Sequence, residues 1–79
     1  MQTQQTFAEW LSHALTHQGV DVAHLATAID CTPAAVHAWL AGKRPGSPSV
    51  VRVLDALGVD DAQESAAWRA FRRTVRDSL

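Results

Sequence analysis

The sequence predicts an all-α fold, a compact bundle of five short helices that form a single domain over residues 1–79. Apolar residues recur at spacings of three and four along most of the chain, Thr, Ser or Asp residues stand before these runs, and glycines stand after most of them. Of the 79 residues, 47% are hydrophobic and 19% are charged. This composition is typical of a globular domain with one modest core and excludes a disordered chain.

Helices 1 and 2 are each predicted from a cap, an apolar face and a stop. Thr6 and Glu9 have the spacing of a capping box at the start of helix 1, and Gly19 stands at its end. Asp21 is the predicted cap of a shorter helix 2. The apolar face of helix 1 comprises Phe7, Trp10, Leu11, Ala14 and Leu15, and that of helix 2 comprises Val22, Leu25, Ala26 and Ile29.

Helix 3 is predicted to begin after Thr32, which has the residue type of a cap. Pro33 occupies its first position, where a backbone N–H would have no acceptor within the helix, so proline loses no hydrogen bond there. Gly42 ends the helix, and the residues KRPGSPS at 43–49 form a loop. The inner face comprises Val36, Trp39 and Leu40.

Helix 4 is predicted to start at Ser47 or Ser49 and to stop at Gly58. Its apolar residues are Val50, Val51, Val53, Leu54 and Leu57. Because valine is a weak helix former, a strand over residues 50–54 is the competing interpretation. The helical spacing continues through DALG at the end of this segment and favours the helix.

Helix 5 is predicted over about residues 61–78, where Asp60 and Asp61 stand before possible box partners Gln63 and Glu64. It carries two stripes about a quarter-turn apart. The apolar stripe comprises Trp68, Phe71, Val75 and Leu79, and the basic stripe comprises Arg69, Arg72, Arg73 and Arg76. We expect the apolar stripe to form a two-fold dimer interface. The alternative is that it only covers the bundle while the arginines are solvated.

Residues 21–44 have the pattern of a helix-turn-helix formed by helices 2 and 3. Its marks are Leu25-Ala26, Ile29, Thr32, Val36, Trp39, Gly42 and Lys43-Arg44. The end of helix 4 reads Leu-Gly-Val-Asp at 57–60. With these residues, the core stretch 7–60 resembles the lambda-repressor-like family, of the Cro/cI or Xre type.

This resemblance implies a sequence-specific transcriptional regulator, repressor-like, that binds a short pseudo-palindrome in double-stranded DNA as a homodimer. Helix 3 would enter the major groove. The residues that the resemblance places at the DNA are Thr32, Pro33, Ala34, His37, Ala38, Lys43 and Arg44. Prolines and alanines form no hydrogen bonds with base edges. We therefore expect His37 and methyl contacts to read the sequence weakly, with DNA shape and half-site spacing supplying the rest.

The distribution of charge keeps a second interpretation open. The net charge is −1, and all seven Lys and Arg residues stand at or after Lys43, whereas Glu9, Asp21 and Asp30 are the charged residues before it. Asp30 stands where the family usually has a turn glycine, and aspartate tolerates the left-handed conformation expected there. The alternative function is a protein-interaction module on the same fold, such as a phage modulator or an accessory or antitoxin-like domain.

The sequence predicts no enzyme, cofactor, metal or small-molecule substrate, since no nucleophile–base set or phosphate-binding glycine loop is present. His13 and His17 stand four apart on helix 1 but have no third ligand with them. The single cysteine, Cys31, is predicted to pack as a small hydrophobe, as is usual in a reducing compartment. No signal peptide or membrane span is expected. We therefore predict a cytoplasmic protein, at the bacterial nucleoid or phage-encoded, with chromosomal, plasmid and phage origins all open.

Overall fold

Five α-helices follow one another in the computed structural model, which describes the backbone of residues 6–77 and the side chains of residues 6–73. They are α1 (Phe7–Gln18), α2 (Val22–Ala28), α3 (Pro33–Leu40), α4 (Ser47–Leu57) and α5 (Asp61–Asp77). No strand occurs between residues 6 and 77, so the competing strand over 50–54 is not formed. The Cα radius of gyration of 11.6 Å is that of a compact domain of this length. The predicted all-α fold class is confirmed.

Side chains cap the first and last helices at the predicted residues. At α1, the Glu9 N–H donates to Thr6 Oγ1 at 3.3 Å, and the Thr6 N–H donates to Glu9 Oε1 at 3.1 Å. This is the complete capping box, in which each residue satisfies a backbone donor of the other. At α5, the Asp60 carboxylate accepts from the Gln63 N–H at 2.8 Å. The start of each of these two helices is therefore fixed by local hydrogen bonds.

All five helices contribute to one core. Helix α1 packs on α3 and α5, and α2 packs on α3 and α4. A cluster of rings holds α5 against α1, because Phe7 lies 6.3 Å from Phe71 and 5.8 Å from Trp10 between ring centroids. The largest fully buried side chains are Phe7, Leu11, Leu25, Val36, Val50 and Val53.

The turn between α2 and α3 is a left-handed reversal built on Asp30. The Cys31 N–H donates to the Ala26 carbonyl at 2.9 Å, and the Asp30 N–H donates to the Thr27 carbonyl at 3.3 Å. These two bonds form a Schellman motif, which needs a left-handed residue where Asp30 stands. Its φ is 58°, and no other non-glycine residue between 6 and 77 has a positive φ. The expected left-handed conformation of Asp30 is confirmed.

Candidate nucleic-acid interface

Helices α2 and α3 pack directly on each other across a four-residue connection, 29–32. Ala26 lies midway along α2 and is buried, as are Leu25 beside it and Ile29 one turn later. A methyl group at position 26 lets the backbones of the two helices approach closely, whereas a larger side chain would separate them. The orientation of α3 is therefore set by tight packing on α2 and α1.

The inner face of α3 is anchored in the core by two large side chains. Val36 is completely buried, and Trp39 is 9% exposed. Leu40 is half-buried beside them. Because these three positions take up one side of an eight-residue helix, the opposite side is left to solvent.

The outer face of α3 contains most of the residues that the family resemblance places at the DNA. Pro33, Ala34 and His37 are exposed, and Ala38 is half-buried. Positions 34, 37 and 38 share one side of the helix because residues three and four apart are neighbours on its surface. His37 has ring nitrogens for hydrogen bonds, while the other three side chains offer only carbon. The face is consequently mostly apolar.

Thr32 is exposed at the start of this face and acts as its cap. Its Oγ1 accepts a hydrogen bond from the Ala35 N–H at 3.2 Å. A hydroxyl that accepts one bond still has its O–H to donate. Thr32 is therefore placed to fix the first turn of α3 and to donate a bond to an acceptor, such as a phosphate oxygen, in front of it.

Two cations lie in the loop that follows the face. The Lys43 N–H donates to the Ala38 carbonyl at 3.0 Å, and the Gly42 N–H donates to the Trp39 carbonyl at 3.1 Å, again the pattern of a Schellman motif. Gly42 has a φ of 110°, which L-residues rarely adopt. Lys43 and Arg44 are exposed, while Pro45 directly after them is buried. The two cations thus stand on backbone that is held at both ends.

The start of α2 carries the opposite charge. The carboxylate of Asp21 accepts a hydrogen bond from the His24 N–H at 2.7 Å and caps the helix. An anion approaching these N–H groups would meet the Asp21 carboxylate, which already occupies one of them. The positive charge near the outer face is therefore concentrated in the loop after α3 and is absent from the start of α2.

The predicted dimer residues on α5 do not share one environment. Phe71 is 9% exposed and packs edge-on against Trp68, with ring centroids 5.6 Å apart. Trp68 itself is half-buried. The side chain of Val75 and all of Leu79 lie outside the described residues. Among the described pair, Trp68 has surface for a partner, while the ring of Phe71 belongs to the core of its own chain.

The sequence-based predictions miss the environment of two side chains. Pro45 is buried in a segment that reads as a solvated loop. Val51 is 54% exposed, the one large apolar side chain so exposed among the described residues. The second could have been found, because the buried positions 50, 53, 54 and 57 already complete a helical face and leave Val51 outside it.

Other kinds of site are not evident over the described residues. His13 and His17 are both exposed, and no group of three His, Cys, Asp or Glu side chains in the described chain is placed to hold a metal ion. Within residues 6–77, no helix combines the length and apolar character needed to cross a membrane. Cys31 is half-buried, and its Sγ lies 3.6 Å from the Thr32 carbonyl oxygen. Comparison with protein-family models, curated proteins and solved structures finds no match for the chain.

Proposed function

We propose that the chain is a sequence-specific DNA-binding regulator of the lambda-repressor-like type, which binds a short pseudo-palindromic site as a homodimer and represses transcription. It would act in the cytoplasm, at the nucleoid or on phage DNA, without a catalytic activity or cofactor. The observation that carries the proposal is the juxtaposition on α3: an exposed face anchored by Val36 and Trp39 and followed at once by the exposed pair Lys43 and Arg44.

This arrangement suits the major groove of DNA, which admits one α-helix. Small side chains at Ala34 and Ala38 let the helix backbone approach the base edges and place methyl groups against thymine methyls. His37 is the one side chain of the helix face able to bond a base edge. Lys43 and Arg44 would neutralise phosphates flanking the groove, which positions the helix without reading sequence.

The energetics of this mode are dominated by phosphate contacts. Each phosphate that a cation neutralises adds about 0.9 to the slope of log Kd against log salt. Two cations in each protomer of a homodimer therefore account for a slope of about 3.6. Over a fourfold rise in salt concentration, a slope of this size raises Kd roughly a hundredfold.

The proposal is tested by selecting bound sequences from a random duplex pool and then measuring Kd for the selected DNA by fluorescence anisotropy across a salt series. The double variant Lys43→Ala/Arg44→Ala should bind more weakly at low salt and lose about 3.6 from the slope. Failure to enrich any sequence, with no retention of random duplex at low salt, would overturn the proposal. So would an unchanged slope in the double variant.

A matched control comes from the single variants Arg44→Ala and Arg52→Ala, which remove the same side chain and leave the same net charge. Arg52 is exposed on α4, where it lines a surface depression with Asp30 and Asp55. Its side chain therefore lies in one depression with two acidic residues of its own chain, away from the proposed DNA contacts. Arg44→Ala should lower the slope by about 1.8 for the dimer, while Arg52→Ala should leave it near the wild-type value.

A second candidate function, a protein-interaction module with weak or no DNA binding, is favoured by the Asp21 carboxylate at the start of α2. That carboxylate opposes a phosphate at the position where the proposed family often holds one. The mostly apolar outer face of α3 would then contact a protein partner. A stable heterocomplex lost in the variant Ala34→Glu, together with no enrichment in the DNA selection, would establish this candidate and exclude the first.

A further inference from the structure

A groove of mixed polarity lies between α4 and α5, on a part of the molecule that the proposed DNA contacts do not use. It is an open groove of about 270 Å³, lined by apolar side chains that include the exposed Val51 and the half-buried Val59 and Trp68. The carboxylates of Asp55 and Glu64 line the same groove. Apolar side chains bordered by charged ones are a common composition of a protein interface.

On α5, an acidic and a basic residue stand at equal spacing on either side of Trp68. Glu64, Trp68 and Arg72 stand four residues apart, so they share one side of the helix. Glu64 and Arg72 are both exposed. At 1.5 Å per residue, the acid lies about 6 Å before Trp68 along the helix axis and the base lies about 6 Å after it.

We propose that a second copy of this chain binds here through a two-fold contact in which the α5 helices run antiparallel and cross at Trp68. In that arrangement Glu64 of each copy faces Arg72 of the other, so one pair of side chains is used twice. A parallel arrangement would place Glu64 beside Glu64 and Arg72 beside Arg72. The charge order along α5 therefore favours the antiparallel orientation, which a two-fold axis perpendicular to the helices produces.

The exposed part of Trp68 and the side chain of Val51 supply the apolar centre of this contact. Phe71 takes no part in it, because its ring is buried against Phe7 and Trp68 of its own chain. The contact thus differs from a stripe that runs through positions 68, 71, 75 and 79. The contact specifies the interface of the homodimer in the proposed function. It rests on that homodimer and not on DNA binding, so it can be tested without DNA.

The test uses the charge-reversal variants Glu64→Arg and Arg72→Glu in sedimentation equilibrium without DNA, at concentrations from micromolar to submillimolar. The wild type should shift from 8.6 kDa toward twice that mass as its concentration rises. Each variant alone turns both attractive pairs into repulsive ones, so its dimer Kd should rise about tenfold or more. An equimolar mixture of the two variants restores both attractive pairs and should dimerise about as well as the wild type.

Recovery in the mixture is the decisive result, because variants that had merely lost stability would not rescue each other. Arg69→Glu is the matched control: it makes the same charge change on an exposed residue of the same helix, about a quarter-turn from Trp68. Its average mass at each concentration should match that of the wild type. Circular dichroism of every variant checks that the helices are retained.

A wild type that stays at 8.6 kDa throughout, a mixture that remains monomeric, or an Arg69→Glu variant as impaired as Arg72→Glu would each overturn the interface. Enrichment of a palindromic site by a protein whose mixture fails to recover would retain the proposed DNA binding and refute this contact alone. A mixture that recovers while no DNA is enriched would retain the contact and refute the DNA binding.

Discussion

Replacing Asp30 by glycine should stabilise the protein, because Asp30 occupies a left-handed position that glycine adopts without strain. Asp30 has a φ of 58°, and its N–H and that of Cys31 close the Schellman motif at the end of α2. Both bonds involve only backbone atoms, so glycine retains them. Asp30 is exposed, and its replacement therefore opens no cavity.

The expected change in the free energy of unfolding is the difference between two backbone effects. A left-handed conformation costs an L-residue about 1–2 kcal/mol, somewhat less for aspartate. Glycine loses about 0.5–1 kcal/mol more conformational entropy than alanine when it is ordered. The net gain for Asp30→Gly is about 0.5 kcal/mol, against a total stability of about 4–12 kcal/mol for a domain of this size. In a domain this small the gain corresponds to a rise of about 2–4 °C in Tm.

Thermal and urea denaturation followed by circular dichroism would measure the change, and two further substitutions would separate its causes. Asp30→Asn removes the charge and keeps a residue that tolerates the left-handed region, so its stability should stay close to that of the wild type. Asp30→Ala removes that tolerance and should lose about 1 kcal/mol. From most to least stable, the expected order is Gly, then Asp and Asn together, then Ala. If Asn stabilised as much as Gly, charge and not backbone would be the cause, and the reasoning would be refuted.

Two other substitutions probe the support of the α3 face. Trp39→Ala should lower the free energy of unfolding by about 3–5 kcal/mol, since it empties the larger anchor of α3; a urea midpoint near that of the wild type would contradict the anchoring. Gly42→Ala should cost about 1 kcal/mol or more from backbone strain alone, because a methyl group there meets nothing within 4 Å while φ is 110°. A hydrogen-exchange comparison should place the loss of protection in Gly42→Ala at the Lys43 amide, and unchanged protection there would refute the assigned Schellman bond.

Much of the fold could be predicted from the sequence, because the helix ends are fixed by residues close together in the chain. The box of Thr6 and Glu9 and the left-handed Asp30 depend on four to six consecutive residues. The choice of helix over strand at 50–54 followed from spacing alone. Such local rules work well for a chain whose helices are short and whose connections are brief.

Side-chain placement between helices could not be predicted in the same way. Trp68 and Phe71 stand three apart and look equivalent on a helical wheel, yet the Phe71 ring is in the core and Trp68 is half-buried. The difference arises from Phe7 on α1, which packs against Phe71 from a distant part of the chain. Pro45 likewise reads as a loop residue until its burial is seen. Which face of a helix is covered depends on neighbours that sequence spacing does not identify.

In the proposed DNA-binding mode, the few base contacts available to α3 and the charge order of α5 would act together. A good bidentate contact with a base discriminates by about 1–3 kcal/mol, and the helix face offers His37 as its one hydrogen-bonding side chain. A single protomer could thus separate its site from others by little more than one such contact. Two protomers held rigidly by α5 would double that difference, and they would add a requirement for half-sites about 34 Å apart, or a multiple of that distance. Selectivity would then depend on the rigidity of the dimer as much as on His37, so a loosened α5 contact should relax half-site spacing before it abolishes binding.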